Sequence, residues 1–563
     1  MTIQFRPLCA SLAAALLLAG CATRPSAPIE LNVVGMNDFH GHLEGGKFTY
    51  TSTGSAQSVT VQAGGIGRLG GALKAWRAED PELMLVAAGD LIGASPAISQ
   101  MWADEPTLTA LDMLGLRASA AGNHEFDNGR AELLRQQNGG CTSVRPDRAC
   151  KFTPDYRGVN FRYLAANVLD SATGKTLLPA YRIEQAKGVK VAFIGAVLRN
   201  TPGLVLPSGV AGLSFTDEAD AINGAVRSAR AEGAKVFVVL IHEGGHTDEA
   251  YNQPDCKNLK GPIVGIAERL DPAIRLIVSG HTHRGFQCKV GERTITQAEM
   301  GGHVLSRIRL LVDPVSHAVR NVSVKNEVMQ QGAYPEDPVL AAYLASIKAR
   351  SDVALARPVA KLAASPVTRK QSPGGESALG DLVADAMLDA ARVDRAQISL
   401  MNPAGLRRDL EAGADMSVTL GQVQAVLPFS NTLVTMDLSG AQVQAVLEQQ
   451  WKDKFDDPAR ALLQVGRGLS YQWSAARPKG ARIVPGSLKL NGKAIDPAAT
   501  YRVVVNNFIA EGGDGFTVLK EGTNVRDTGI RDLDSFIDYL ARSQKAGAPA
   551  GTLVPEARVT RVD

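Results

Sequence analysis

The stretch Gly122-Asn123-His124-Glu125-Phe126-Asp127-Asn128-Gly129 crowds an amide, an imidazole and two carboxylates between glycines. That composition makes a poor helix and a worse core, so it is either a solvated turn or a place that handles charge. Four other segments share its character: Asn37-Asp38-Phe39-His40, Gly89-Asp90, His242-Glu243-Gly244-Gly245 and Gly280-His281-Thr282-His283. Together they offer Asp38, His40, Asp90, Asn123, His242, His281 and His283 as donors. Oxygen donors mixed with imidazoles suit Zn, Mn or Fe better than Mg or Ca. Seven donors exceed what one ion takes up. Two divalent ions about 3.5 to 4 Å apart, bridged by one carboxylate, would use them all and clamp the attacking and leaving oxygens of an in-line phosphoryl displacement. Asp90 is the expected bridge. Each segment alone is weak, since Gly-Asp or a single histidine after an apolar run is commonly a satisfied polar turn. Their recurrence at equivalent places carries the inference.

Those places are defined by short apolar, β-branched runs, Ile29 to Met36, Leu83 to Ala88, Val189 to Val197, Lys235 to Ile241 and Ile274 to Ser279; all but Val189 to Val197 end where one of the polar segments starts, and the opening octet follows Leu116 to Ala121 in the same manner. Helical spacing over Arg68 to Glu79 and Thr216 to Glu232 alternates with them, which predicts an α/β layered fold. In such folds loops beyond the carboxyl ends of strands converge on one crevice. The five polar segments can therefore meet.

A chain of 563 residues is long for one core at about 100 to 200 residues per domain. With 45% hydrophobic and 21% charged residues it has the composition of a globular protein. The net charge of +3 lacks a basic run, which argues against a nucleic acid polymer as partner. The pattern changes after Pro335. Asp337 to Val353 predicts a connecting helix with an acidic cap and a proline at its start, and a helix over Leu379 to Ala391 then mixes with strands at Leu433 to Leu438 and Tyr501 to Asn506. The expected organisation is residues 31–335, a connecting helix and hinge over 336–356, and residues 357–563.

Arg6 and the apolar run Leu8 to Ala19 have the length of a secretory leader and are too short to span a bilayer comfortably. The run ends Leu18-Ala19-Gly20-Cys21, which resembles a bacterial lipobox. It implies a signal peptide over 1–20, lipid on Cys21, a tether over 21–30 and an exported protein facing periplasm or cell surface. An ordinary signal peptide that contains a cysteine is the alternative. Four cysteines lie beyond the leader, and in an exported protein an even set suggests disulfides. Three pairings are possible, of which Cys141 with Cys150 and Cys256 with Cys288 is favoured here over thiolate metal binding.

In this order, DFHGH, GD, GNHEFD, HEGG and GHTH resemble the calcineurin-type metallophosphoesterases. ESALGDLVADA (376–386), NPAGLR (402–407), LPFSN (427–431) and FIAEGGDGF (508–516) resemble the C-terminal domain of bacterial 5′-nucleotidases and UDP-sugar hydrolases. The resemblance implies a four-layer α/β/β/α sandwich followed by an α+β domain. It implies one ion held by Asp38, His40, Asp90 and His283, and a second by Asp90, Asn123, His242 and His281. It also implies a dyad in which His124 contacts phosphoryl oxygens and Asp127 orients it, with Glu125 left a structural part. Phe429 and Phe508 would sandwich a base, Asp514 would take ribose hydroxyls, Asn402 and Arg407 would bind polar edges or phosphate, and Asn431 would belong to the same substrate-binding set. The implied reaction is removal of phosphate from nucleoside 5′-monophosphates by metal-activated water. Cleavage of 2′,3′-cyclic nucleotides or UDP-sugars on the same metals is the near alternative, and a non-catalytic nucleotide- or metal-binding lipoprotein the distant one. Arg369 departs from the pattern, standing ahead of a Ser-Pro-Gly-Gly insertion. His42, His246, His303 and His317 are expected on surfaces or turns.

Overall fold

Alternation along two neighbouring strands, Ile29–Met36 and Met84–Ala87, sends side chains into two different cores. Val34, Met36, Leu85 and Ala87 pack with Ile66, Leu69, Leu73 and Trp76 of helix Ile66–Glu79. Leu31, Val33, Met84 and Val86 instead meet Val191, Phe193, Val236 and Val238 of a second sheet. The second sheet repeats the device: Ala192, Ile194, Phe237, Val239 and Ile241 turn away toward helices Glu218–Ala231 and Pro262–Glu268. The result is helix, sheet, sheet, helix. These relations come from a computed structural model, which describes residues 1, 27–55, 57–429, 431–451 and 462–563. The expected leader, Cys21 and the start of the tether lie outside the described residues. Ile29 and Glu30, counted with that tether, already pair with Val312 and Leu311 in the first sheet.

From edge to edge the first sheet runs Val319–Val328, Val304–Val312, Ile29–Met36, Met84–Ala87, Leu116–Ala120 and Arg162–Leu164; the second runs Gly285–Val290, Arg293–Ala298, Ile274–Ser279, Val236–His242, Val189–Val197 and Tyr181–Ala186. Ile29–Met36, Met84–Ala87 and Leu116–Ala120 are parallel, as are Val236–His242 and Ile274–Ser279. Their carboxyl ends therefore open on one edge of the sandwich. The hairpin Gly46–Tyr50 with Val59–Ala63, which the sequence reading did not single out, projects from the loop after the first strand. The cysteines form disulfides Cys141–Cys150 and Cys256–Cys288.

Helix Pro338–Leu355 begins at an Asp337 cap, whose carboxylate accepts from Val339 and Leu340 N–H at 2.9 and 3.1 Å. It is fastened to the N-terminal half. Trp102 Nε1 donates to Ser351 Oγ at 2.8 Å. The Arg350 guanidinium lies 4.5 Å over the Phe152 ring and donates to the Phe152 and Lys151 carbonyls at 2.6 and 3.0 Å. The helix is continuous from Pro338 to Leu355, inside the 336–356 expected for the connecting helix.

Beyond it, a five-stranded mixed sheet is ordered Gln464–Val465, Ile398–Met401, Thr500–Asn506, Thr432–Ser439 and Thr523–Arg531. One face packs on helices Ala378–Ala390 and Asp532–Lys545. Against the other lie helix Gly440–Glu448 and strand Leu469–Trp473. Among the described residues no helix is long and apolar enough to cross a membrane.

Candidate active site

All seven donors stand at the strand ends that the topology gathers. Asp38, His40, Asp90, His281 and His283 have φ of 48°, 46°, 49°, 75° and 54°, in the left-handed region that non-glycine residues avoid. Such strain persists where surrounding structure enforces it, and it clusters at functional sites. Here the turns aim successive side chains inward. The aiming needs close backbone contact: a side chain on Gly122 would strike the Asp90 carboxylate, and one on Gly89, at φ 83°, would lie 2.7 Å from Gly122 N.

Potential ligand atoms fall within 4.8 Å of one another in three overlapping groups: Asp38, His40 and His283; His40, Asp90 and His124; Asp90, His242 and His281. Asp90 Oδ2 is 3.0 Å from His242 Nε2 and 3.7 Å from His40 Nε2. Asp38 Oδ1 is 3.3 Å from His283 Nε2. Asn123 Oδ1 lies 3.1 Å from both His242 Nε2 and His281 Nδ1. The rings are oriented from behind. His242 Nδ1 is 2.8 Å from the Ala88 carbonyl and His40 Nδ1 is 2.9 Å from that of Gly93. A proton on each Nδ1 leaves the Nε2 lone pair facing the carboxylates, which is how metal-binding histidines are oriented. His40 and His283 bring their Nε2 atoms to 3.1 Å. Two imidazole nitrogens that close, beside carboxylates, are a donor set that a cation fits. Burial alone would raise the Asp90 carboxyl, but the His242 and His124 charges hold it well below the ordinary carboxylate value.

Glu125 gathers backbone. Its carboxylate accepts from Asp90 and Leu91 N–H, each at 2.9 Å, and from Gly122 N–H at 2.5 Å. One side chain thus ties two ligand loops together. Glu125→Ala would leave these buried donors unpaired at about 1 to 3 kcal/mol each, so a stability loss of about 3 kcal/mol or more is expected in urea unfolding; a loss below about 1 kcal/mol would refute the clasp.

His124 Nδ1 is 2.7 Å from Asp127 Oδ2. Burial disfavours the imidazolium, yet the Asp127 and Asp90 carboxylates outweigh it and raise the His124 pKa above the usual histidine value. Phe429, from the C-terminal half, lies nearly parallel to the His124 ring, with centroids 5.9 Å apart and planes at 12°. The Arg407 guanidinium sits 5.7 Å over the Phe429 ring. Asn402 Nδ2 donates to Asp514 Oδ2 at 2.7 Å, and Asn506 Nδ2 donates to Asn402 Oδ1 at 2.8 Å. Phe508 is half-buried against Gly513, at the start of the turn that carries Asp514. Ser208 N–H and Oγ reach the Glu511 carboxylate at 2.9 and 3.3 Å, so the two halves also touch beside this turn.

Asn431, two residues beyond Phe429, is anchored by its backbone: its carbonyl accepts from Asp532 N–H at 2.8 Å, at the start of helix Asp532–Lys545. Arg369 donates to the Leu406 carbonyl at 3.0 Å and so braces the Arg407 loop. Spacing could not reveal the carbonyls of Ala88 and Gly93, because any residue supplies one. Nor did it mark His42 and His303, whose rings stand 6.2 Å apart beside the ligand loops.

An α/β/β/α sandwich with carboxylates and imidazoles at its strand ends defines a metal-dependent phosphoesterase type of centre. Residues 31–285 match the profile described as calcineurin-like phosphoesterase, and residues 354–521 match 5′-nucleotidase, C-terminal domain. Over 531 residues, 93% of the chain, the sequence is 31% identical to Endonuclease YhcR of Bacillus subtilis, and it spans 41% of that protein's length. It is 26% identical over 586 residues to a 5′-nucleotidase of Vibrio cholerae, covering 95% of this chain and 96% of the relative. The crystal structure of a 5′-nucleotidase precursor from Thermus thermophilus aligns with a TM-score of 0.72 at 28% identity, covering 95% of this chain and all of that one. The chain belongs to the calcineurin-like phosphoesterases that carry a 5′-nucleotidase C-terminal domain.

Proposed function

We propose that the protein is a 5′-nucleotidase, a phosphohydrolase with a dinuclear centre that releases phosphate from nucleoside 5′-monophosphates. The observation that carries this reading is the near-parallel pairing of Phe429 with His124, which sets an aromatic surface for a base beside phosphoryl chemistry. Asp38, His40, Asp90 and His283 would hold one divalent ion, and Asp90, Asn123, His242 and His281 the other. Such ions, Zn, Mn or similar, supply Lewis acidity and a more acidic water. His124 donates a hydrogen bond to the phosphoryl oxygens, and Asp127 fixes its ring. Phe429 and Phe508 stack on the base with little preference among bases. Arg407 adds positive charge, and Asp514 and Asn402 bind ribose hydroxyls. Residues 31–335 would form the catalytic domain and 357–563 the nucleotide domain. Purified full-length protein with added Mn or Zn should release phosphate from AMP, GMP and UMP faster than it cleaves 2′,3′-cyclic AMP or UDP-glucose. Failure on every monoester would end this reading, and a faster rate on the diesters would reassign the substrate.

Burial pushes the Asp514 carboxyl up to about 6, against the Asn402 hydrogen bond and the Arg407 charge. An ionised Asp514 accepts ribose hydroxyls, so nucleoside affinity should be full above that pH and decline below it. Competitive inhibition by adenosine, which carries no phosphate to titrate, is expected to weaken about tenfold at one unit below the pKa. Asp514→Asn should abolish that dependence, and an unchanged profile would refute the assignment.

The leader supports placement outside the cytoplasm by lipid on Cys21. Detergent-phase partitioning of the expressed protein should be lost in Cys21→Ala, and partitioning that persists would remove the anchor.

A further inference from the structure

Strands Ile398–Met401 and Thr500–Asn506 run parallel, and Asn402 and Phe508 follow their carboxyl ends. On the other side of the second strand, Leu433 of the antiparallel strand Thr432–Ser439 pairs with Asn506, and Phe429 lies four residues ahead of Leu433. Asn506 therefore stands where the loops bearing Asn402, Phe429 and Phe508 meet the sheet, and it is fully buried. A buried amide at such a junction must pair at both of its ends.

Its partners fix its direction. Asn506 caps the short helix Asn507–Ala510, where its Oδ1 accepts from the Ile509 N–H at 3.0 Å. A backbone N–H can only donate, so the oxygen faces the helix and the nitrogen faces away from it. Nδ2 then has two acceptors before it, Asn402 Oδ1 at 2.8 Å and Met401 Sδ at 3.5 Å. Asn402, also buried, receives that bond on its oxygen, which leaves its own Nδ2 to donate to Asp514 Oδ2 at 2.7 Å. Donor and acceptor thus alternate without a break from one backbone N–H to the carboxylate. With the Asn402 amide flipped, its oxygen would face the Asp514 carboxylate, acceptor against acceptor, and its nitrogen would face the Asn506 N–H, donor against donor. Asn506 excludes that flip.

We infer that Asn506 is a positioning residue for nucleoside binding: it holds the Asn402 amide with a donor toward Asp514, and with the same side chain it caps the helix that carries Phe508. The inference rests on the nucleotidase reading above. Neither short helix packed against the Asp514 turn, Asn507–Ala510 or Thr201–Gly203, carries a charged residue. The charged groups near that turn are Arg407, Glu511, whose carboxylate is taken up by Ser208, and Lys520, whose stem would lie 3.0 Å from a methyl on Gly512. Burial raises the Asp514 carboxyl, and the Asn402 bond and the Arg407 charge oppose it. An Asn402 freed from Asn506 holds its bond to the carboxylate less firmly, so Asp514 takes up its proton at a higher pH.

Asn506→Ser and Asn506→Ala separate the two duties, because serine caps a helix about as well as asparagine but its shorter side chain does not reach Asn402. Calorimetric titration of the metal-loaded full-length protein with adenosine over a range of pH reads the effect without turnover. Near neutral pH adenosine is expected to bind about tenfold more weakly in both variants. The pH at which its binding declines, about 6 in the wild type, should lie about one pH unit higher in Asn506→Ser. KM for AMP should rise by more than kcat falls. In an Asn402→Ala background Asn506→Ser should bring no further loss, since the chain of bonds is already cut. Wild-type affinity and pH profile in Asn506→Ser would overturn the inference, whatever Asn506→Ala does, and so would losses that add in the double variant. Phosphate release from AMP by the wild type tests the nucleotidase reading separately; if that fails the positioning role falls with it, whereas the positioning role can fail alone.

Discussion

Asp90→Asn is expected to lower the bound divalent metal per chain and to cut phosphate release from AMP by more than about 100-fold, the upper end of what loss of a mere outer partner costs a metal site. The asparagine keeps the size of the side chain, so the cause would be charge. Asp90 Oδ2 faces His242 at 3.0 Å and His40 at 3.7 Å, while Oδ1 accepts the His124 N–H at 2.9 Å. Among the described residues, the Asp90 carboxylate is the one whose oxygen falls into a ligand group both with His40 and with His242 and His281. Asp38 groups with His40 and His283, and its contact with His281 is to the backbone, whose N–H donates to the Asp38 carboxylate at 3.1 and 3.0 Å. A bridging carboxylate lost to an amide removes the shared negative charge that lets two cations sit close together. Metal analysis by mass spectrometry, beside the activity assay, separates the cases. Full metal content with full activity in Asp90→Asn would show that the residue is no bridge.

How much of this was legible in the sequence follows from what each feature depends on. Donor residues at strand ends were visible because two local signals coincide, an apolar run and an abrupt polar stop, and because α/β topology leaves those stops no other place to go. The helix at Pro338–Leu355 was visible from its Asp337 cap. Its attachment was not, since Arg350 meets Phe152 across 198 positions of chain. The hairpin at Gly46–Tyr50 was legible and passed over: Lys47, Thr49, Thr60 and Gln62 alternate with Phe48, Tyr50, Val59 and Val61, the period of a half-buried strand, but the strands are short and pack a small aromatic cluster instead of the main core. Glu125 was visible as a residue and invisible as a clasp, because its partners are backbone N–H groups that every residue has. The same limit hid the orientation of His40 and His242.

His124→Ala is expected to reduce kcat for AMP by about 100- to 1000-fold, the usual cost of removing one donor aimed at developing charge, while metal content stays that of the wild type. The second half of that statement decides between two roles. His124 belongs to one of the three possible ligand groups, with His40 and Asp90, so it could be a metal ligand. Against this, its Nδ1 is engaged by Asp127 at 2.7 Å and its ring is paired with Phe429, on the side where nucleotide would enter. A ligand would lose metal on truncation, and a phosphoryl donor would lose only rate. Asp127→Ala should cost less, about tenfold to 100-fold, because the ring keeps its donor and loses its fixed orientation. Loss of bound metal in His124→Ala equal to that in Asp90→Asn would move His124 into the coordination sphere and leave the phosphoryl oxygens without their proposed protein donor.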